Sequence, residues 1–531
     1  MITIAARGDP CDASLDCLVM PPTLRVYNAM VWTADPARPW VGSVTVENGR
    51  VLAVDDDSDA EENIDAAGRT VTPGLIDAHL HMMLGGQSLG QLDLSPVRSR
   101  RQFEAAIARR HGELGPDQWL IARGWSNENW PSRRPPQKSW LAAAGNRPVV
   151  CHRMDMHAVL VNDAVLDLCD TSAQLPGGCI VRDPVSGAPT GLMVEAAAWK
   201  LVNPLVPEPD EATRQEALLA AQDHLHAHGV TSVGTMECRQ DVRDVFVPLR
   251  QRLTMRCRIT LLDRGSAAEP ADLTFARDFS NDERLAVIGY KAFIDGTLGS
   301  RTARMLADYA DDPGNRGLFI ESADDGQLRR WAQAVAEAGL SPAVHAIGDE
   351  AVRLALDAID DVDRAIRPRI EHAQHIDATD FRRFRGRIAS MQPLHKADDG
   401  RYVRRRLGDK RLAGTFAFRR LLDAGARLAF GSDWPVVSCD PRLGIRTAVT
   451  GLTFDGEIFA ADQNLTVAEA LRAYTVDAAY ALGLDEAGQL RPGALGDMVM
   501  FDSDPFQADW ARDPPRVVMT IVGGQVVHDA R

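Results

Sequence analysis

Two histidines two residues apart close an apolar run in TPGLIDAHLHMM, His79 and His81. Side chains at i and i+2 of a strand point to one face, so both imidazoles can reach one cation. The spacing alone is a weak signal, because His224, His226 and His228 show it too. That trio falls in the last turns of a helical pattern, where the macrodipole and solvent favour histidine without any metal. What distinguishes His79 and His81 is company at the ends of later strand-like runs: Lys291 in VIGYKAFIDG, His345 in PAVHAIGD, His372 in RIEHAQH and Asp433 in AFGSDWPV. Barrel enzymes gather their chemistry at such strand ends. Taken singly, His345 and His372 read as core histidines, Asp433 as a cap and Lys291 as a strand-edge lysine. Taken in order on successive strands, they read as one site.

Lys291 is the unusual member. Val287, Gly289, Lys291, Phe293 and Asp295 alternate onto one face, which carries the lysine into the barrel. An ammonium there would repel metal. A carbamate formed with carbon dioxide reverses that sign and offers an anionic oxygen pair, a hard ligand able to bridge two divalent ions. Glu371, directly before His372, is expected on the opposite face of its strand and so outside the site.

The elements that must position these residues are legible as a repeating unit of helix, glycine and strand. Residues 210–228 form a helical pattern, Gly229 fits its C-terminal cap, and VTSVGTME follows as a strand. Gln327 to Ala338 repeats the unit through Gly339 into SPAVHAIGD, as does Phe416 to Ala424 through Gly425 into ARLAFGSD. Strands alternating with helices suit a parallel sheet, and an eight-stranded barrel accounts for all of them. Short β-rich runs from Leu24 to about residue 73 share their texture with 485–531, where Gly523 and Gly524 separate two β-branched runs as in a hairpin. The expected architecture is α/β: a TIM-like (β/α)8 barrel over 74–484, and a composite β-sandwich domain from 24–73 and 485–531. Residues 119–206, rich in Trp, Pro and Gly, read as a subdomain inserted after the first barrel strand. Its Trp125, Trp130, Arg153, Asp155 and His157 could cover the barrel mouth with aromatic walls and polar anchors.

Length and composition agree. The chain has 531 residues, 45% hydrophobic and 25% charged, proportions that support a large core. Lys plus Arg number 59 against 74 Asp plus Glu, a net charge of −15 that argues against a nucleic-acid surface. The eight cysteines include no C-x-x-C pair, which suits a reducing, cytoplasmic compartment. No apolar run approaches the ~18 residues of a membrane span. Residues 1–23 carry no periodic pattern and are broken by Arg7, Asp9, Asp12 and Asp16, so they are expected to be a leader that ends with the Pro21–Pro22 pair, with residues 1–19, ahead of Met20, dispensable. The expected partner is a small-molecule substrate, and a homodimer is the default assembly.

From about Leu24 onward the chain resembles the metal-dependent amidohydrolases of the YtcJ-like (Amidohydro_3) group, which includes N-substituted formamide deformylases. The resemblance is carried by PGLIDAHLH, GWSNENW, HRMDMHAVLVN, GAPTGLMVEAA, KAFIDGTLGS, HAIGD, IEHAQH, MQPLH, AGARLAFGSDWPV, AYTVDAAYALG and GQLRPGALGDMVMFD. It implies metal ligation by His79, His81, carboxylated Lys291, His345, His372 and Asp433, with two divalent ions, zinc by expectation. It also implies that Asp155, His157, Glu195, Arg301 and His395 serve the substrate side, with Trp125 in the same role. Two such ions can lower the pKa of a shared water toward about 7 and polarise a carbonyl. Asp433 is then the general base, and the expected reaction is hydrolysis of a carbon–nitrogen bond other than a peptide bond. A lactonase or esterase, a mononuclear deaminase on the same barrel, or a non-enzymatic scaffold are the alternatives.

Overall fold

The computed structural model describes residues 23–57, 60–175, 177–262, 270–320 and 326–531. The expected leader, Thr23 apart, lies outside the described residues.

Eight parallel strands form the central sheet: β1 (Leu75–Leu80), β2 (Val230–Glu237), β3 (Arg256–Leu262), β4 (Leu285–Phe293), β5 (Ser341–Ala346), β6 (Arg369–His372), β7 (Ile388–Met391) and β8 (Arg427–Phe430). They pair in sequence order. The first and last meet just past their ends, where the Asp433 amide donates to the His79 carbonyl (2.7 Å) and the His81 amide to the Trp434 carbonyl (2.8 Å). The sheet is thus a nearly closed barrel of the TIM type. Every residue of β1 and β2 is buried, as expected of strands covered on both faces. The repeating units form as read: helix Glu211–Ala227 starts at Asp210, whose side chain accepts from the Thr213 amide, and ends at Gly229. Gly229 and Gly339 adopt φ of +84° and +77°, the left-handed turn a β-carbon would disfavour.

The two chain ends do pair. Thr70–Pro73 runs antiparallel to Met498–Phe501 in a six-stranded sheet, and a four-stranded sheet of Leu24–Tyr27, Val44–Glu47, Arg50–Val54 and Glu62–Asp65 accompanies it. One core, including Val26, Val46, Met498 and Met519, joins both segments. A fourth sheet comes, in chain order, between β1 and β2. It contains Leu120–Trp125, Val149–Arg153, Ala158–Val161, Gly178–Arg182 and Pro189–Glu195, but also Leu92–Asp93. Its core recruits Phe103 and Ile107 from helix Arg100–Glu113, so the unit reaches back well before residue 119. The polar face of that helix conceals the connection in the sequence, because only those two of its residues are buried.

Candidate active site

The six expected metal-site residues converge at the C-terminal mouth of the barrel. Nε2 of His79 and Nε2 of His81 each lie 3.3 Å from Oδ1 of Asp433. Lys291 Nζ lies 3.1 Å from His79 Nε2. The rings of His79 and His345 stand 5.0 Å and 4.5 Å from that of His372. Donor atoms of His79, His372 and Asp433 fall within 4.8 Å of one another. All six side chains are buried.

Each imidazole is held by the nitrogen that faces away from this centre. His79 Nδ1 donates to Glu371 Oε2 at 2.6 Å, and His81 Nδ1 to the Met236 carbonyl at 3.2 Å. His372 Nδ1 is 2.8 Å from Gln392 Oε1. His345 is turned the other way, with Nε2 3.3 Å from the Gly296 carbonyl and 3.5 Å from Asp295 Oδ1. Such outer contacts fix tautomer and ring plane, and for His79 and His81 they leave Nε2 turned to Asp433. Four imidazoles, a carboxylate and a buried lysine make a nitrogen and hard-oxygen donor set that suits Zn, Mn, Co or Fe.

Electrostatics follow from burial and neighbours. Burial pushes His81 down to about 4 and takes His345 and His372 well below the usual histidine range. For these three the neutral imidazole, which is the ligand form, is favoured. His79 moves the other way: burial and the nearby Lys291 oppose its charge, but the Glu371 and Asp433 carboxylates outweigh them. Burial opposes ionisation of Asp433, yet the adjacent His79 and His81 outweigh it and hold the carboxyl far below the ordinary range.

Glu371 corrects the expectation that placed it outside the site. Strict alternation would send it opposite His372, but His372 and Ala373 adopt φ of +72° and +44°, so the pleat breaks there. Both side chains then serve the same centre, Glu371 from behind His79. Its other oxygen lies 3.0 Å from Arg369 Nε, and both residues are fully buried. Two further supports escaped the motif reading. Asp77 accepts from the His79 and Ser432 amides (3.1 and 3.0 Å), tying β1 to the loop after β8. Asp295 accepts from the Arg304, Ile347 and Gly348 amides and so holds the turn after His345. Burial pushes each of these carboxyls up to about 7. Their alternation with His79 and Lys291 on one face was the available signal.

The residues expected on the substrate side divide. His157, Asp155 and His395 line the cleft above the centre. His157 Nδ1 donates to Glu195 Oε2 at 2.7 Å, so Glu195 stands behind the wall. Asp155 pairs with Arg153 and accepts from Thr297 and Ser300 at 2.7 and 2.9 Å. His395 Nδ1 accepts from the Gln374 amide nitrogen at 3.1 Å, and its Nε2, 3.8 Å from Asp433 Oδ2, has no hydrogen-bond partner among the described residues. Trp125 departs from the expectation. Its indole donates to the Cys151 carbonyl (2.8 Å) inside the core of the inserted fourth sheet, and it bears on the cleft through the Arg153 guanidinium over its ring. Arg301 is likewise absorbed, in a two-pronged pair with Asp311 at 2.9 and 3.1 Å. An arginine with a carboxylate partner this close is satisfied without a ligand. Apolar side chains, Leu84, Phe293, Leu298, Val436 and Val437, form another part of the cleft wall.

A barrel with its chemistry at this end, over a composite sheet from both termini, is a hydrolase architecture, and the chain belongs to the amidohydrolase family, whose model matches residues 62–528. Among curated relatives it is 34% identical to Protein LONG AFTER FAR-RED 3 of Arabidopsis thaliana, over 95% of this chain and 91% of that one. It is 32% identical to the putative amidohydrolase YtcJ of Bacillus subtilis (88% and 90% covered) and 27% identical to an N-substituted formamide deformylase of Arthrobacter pascens (91% and 94%). An uncharacterized metal-dependent hydrolase from Pyrococcus horikoshii superposes with a TM-score of 0.74 at 26% identity, over 92% of this chain and 99% of that one. Among the described residues no helix is long and apolar enough to cross a membrane.

Proposed function

We propose that the chain is a metal-dependent hydrolase of small-molecule amides, cleaving a carbon–nitrogen bond other than a peptide bond. The observation that supports this reading is the cluster of buried imidazoles around Asp433 and Lys291. His79 and His81 reach Asp433 through Nε2, His79 also reaches Lys291, and His372 shares a metal-capable group with His79 and Asp433. His79, His81, His345, His372, Asp433 and Lys291 as its carbamate would hold two divalent cations, zinc by preference, which would supply a water of lowered pKa and a polarised substrate carbonyl. Lys291 supports the two-cation form over a mononuclear deaminase. As an ammonium 3.1 Å from His79 Nε2 it would compete with a cation for that nitrogen, whereas a carbamate adds a bridging ligand.

Asp433 touches His79 and His81 and opens onto the cleft, so it is placed to take the water's proton and return it to the departing nitrogen. The Gln374 amide leaves the proton of His395 on Nε2, where it can donate to the substrate oxygen as charge develops there. The apolar wall suits a hydrocarbon substituent on nitrogen, and Asp155 with His157 suits its polar end. N-substituted formamides therefore head the panel of candidates, in keeping with the relative from Arthrobacter pascens. The scattered free cysteines favour a cytoplasmic setting.

Elemental analysis and a panel of formamides, other N-acyl amines, ureas and lactones test the proposal. Two metals per chain in the wild type, fewer in Lys291→Ala, and amide turnover that falls by about 10² to 10⁴ in Asp433→Asn are expected. No more than one tightly bound metal in both proteins, or near-wild-type turnover by Asp433→Asn, would overturn it.

A further inference from the structure

The histidine trio that reads from sequence as an ordinary helix end is split by the fold. His226 faces inward and both its nitrogens are used, Nδ1 with the Val230 carbonyl (2.9 Å) and Nε2 with Thr254 Oγ1 (2.8 Å). His224 and His228, one helical turn apart, face the other way with rings 4.7 Å apart. Opposite them, on the loop that follows β8, lies the buried thiol of Cys439. Ligand atoms of the three lie within 4.8 Å of one another.

We propose that His224, His228 and Cys439 bind a divalent cation of borderline softness, zinc by preference, at a second centre separate from the barrel mouth. Three features support it. Two imidazoles and a thiolate form a donor set that zinc takes up readily, with a fourth position left for water. His228 Nδ1 donates to the His224 carbonyl at 2.8 Å, which fixes its tautomer and leaves Nε2 for the ion. The His224 ring stacks on the Trp434 indole at 5.5 Å and 24°, which fixes its plane. Tetrahedral zinc needs ligand atoms about 3.4 to 3.6 Å apart. Ligand atoms up to 4.8 Å apart would have to draw together on binding, by small rotations of the two half-buried imidazoles. Cysteine binds as thiolate, so its proton passes to solvent on binding. The ion would join helix Glu211–Ala227 to the loop that carries Asp433 and Trp434. Trp434 is already tight against helix Met82–Ser88, which follows β1, where a β-carbon on Gly85 would meet its ring at 2.1 Å.

Cobalt(II) added to the purified enzyme, with its resident metals left in place, tests this inference independently of any turnover. A cobalt–sulfur charge-transfer absorption is expected, since every ligand proposed at the barrel mouth is nitrogen or oxygen. One extra equivalent of bound cobalt and a raised melting temperature should accompany it. Cys439→Ser should lose all three effects, and so should His228→Gln, which changes a half-buried side chain and guards against a folding defect in the first variant. An enzyme that shows no sulfur-to-cobalt absorption, or one whose absorption persists in both variants and so arises at other cysteines, would overturn the proposal.

Discussion

Replacing Glu371 probes how far the centre depends on what stands behind its ligands. The carboxylate joins two buried partners, His79 Nδ1 at 2.6 Å and Arg369 Nε at 3.0 Å. Burial opposes its ionisation, but the Arg369 and His79 charges win and bring it down to about 2. Glu371→Gln keeps an acceptor for His79 and removes the charge. Loss of such an outer partner weakens metal binding about 10- to 100-fold, which at about 1.4 kcal/mol per decade is about 1.4 to 2.8 kcal/mol. Glu371→Leu removes the acceptor as well and strands a fully buried guanidinium. Breaking a buried pair costs about 3 to 5 kcal/mol, and the lower end applies here because Arg369 keeps Thr260 Oγ1 at 2.9 Å and the Ala481 carbonyl at 3.2 Å. Metal affinity from competition with a chelator, together with apparent melting temperature, separates the two effects. Glu371→Gln should lose metal with a nearly unchanged melt, and Glu371→Leu should lose metal and melt several degrees lower. A Glu371→Leu protein that holds metal and melts like the wild type would refute the assignment of Glu371 to the centre.

Two other outcomes follow from particular side chains. His157→Ala should change KM or the order of preferred substrates at unchanged metal content, because His157 lines the cleft and is held by Glu195 rather than by Asp433; release of metal on dialysis would move it to the ligand set. Glu237, at the end of β2, accepts from the Met83 amide at 3.1 Å, and burial pushes its carboxyl up to about 8. A raised acid binds protons in the folded state that the unfolded state has released, so its contribution is intact below the ordinary glutamate value near 4.5 and is lost as pH rises toward about 8. Denaturant titrations of Glu237→Gln should therefore show stability gained relative to wild type across that window, and parallel curves for the two proteins would show that Glu237 ionises normally.

How much was readable before the structure can be judged residue by residue. The pairing of the two chain ends was legible in their shared β-rich texture, and the clustering of His79, His81, Lys291, His345, His372 and Asp433 in their recurrence at successive strand ends and in the family resemblance. The strands and helices of the barrel were legible because they rest on a local period: alternation along a strand, or a helix closed by glycine before the next strand. Periods of that kind are properties of neighbouring residues, and the chain states them directly. Glu371 was misjudged by the same rule, since a left-handed residue at His372 interrupts the alternation and nothing in RIEHAQH marks it. Trp125 and Arg301 have the types expected of a pocket, but whether a tryptophan meets ligand or core, and whether an arginine meets substrate or Asp311, depends on partners 26 and 10 residues away. The contact between Cys439 and the histidines of a helix more than 200 residues earlier has no local trace at all. Closure of the barrel brings the loop after β8 beside the helix before β2, so only the folded chain could decide it.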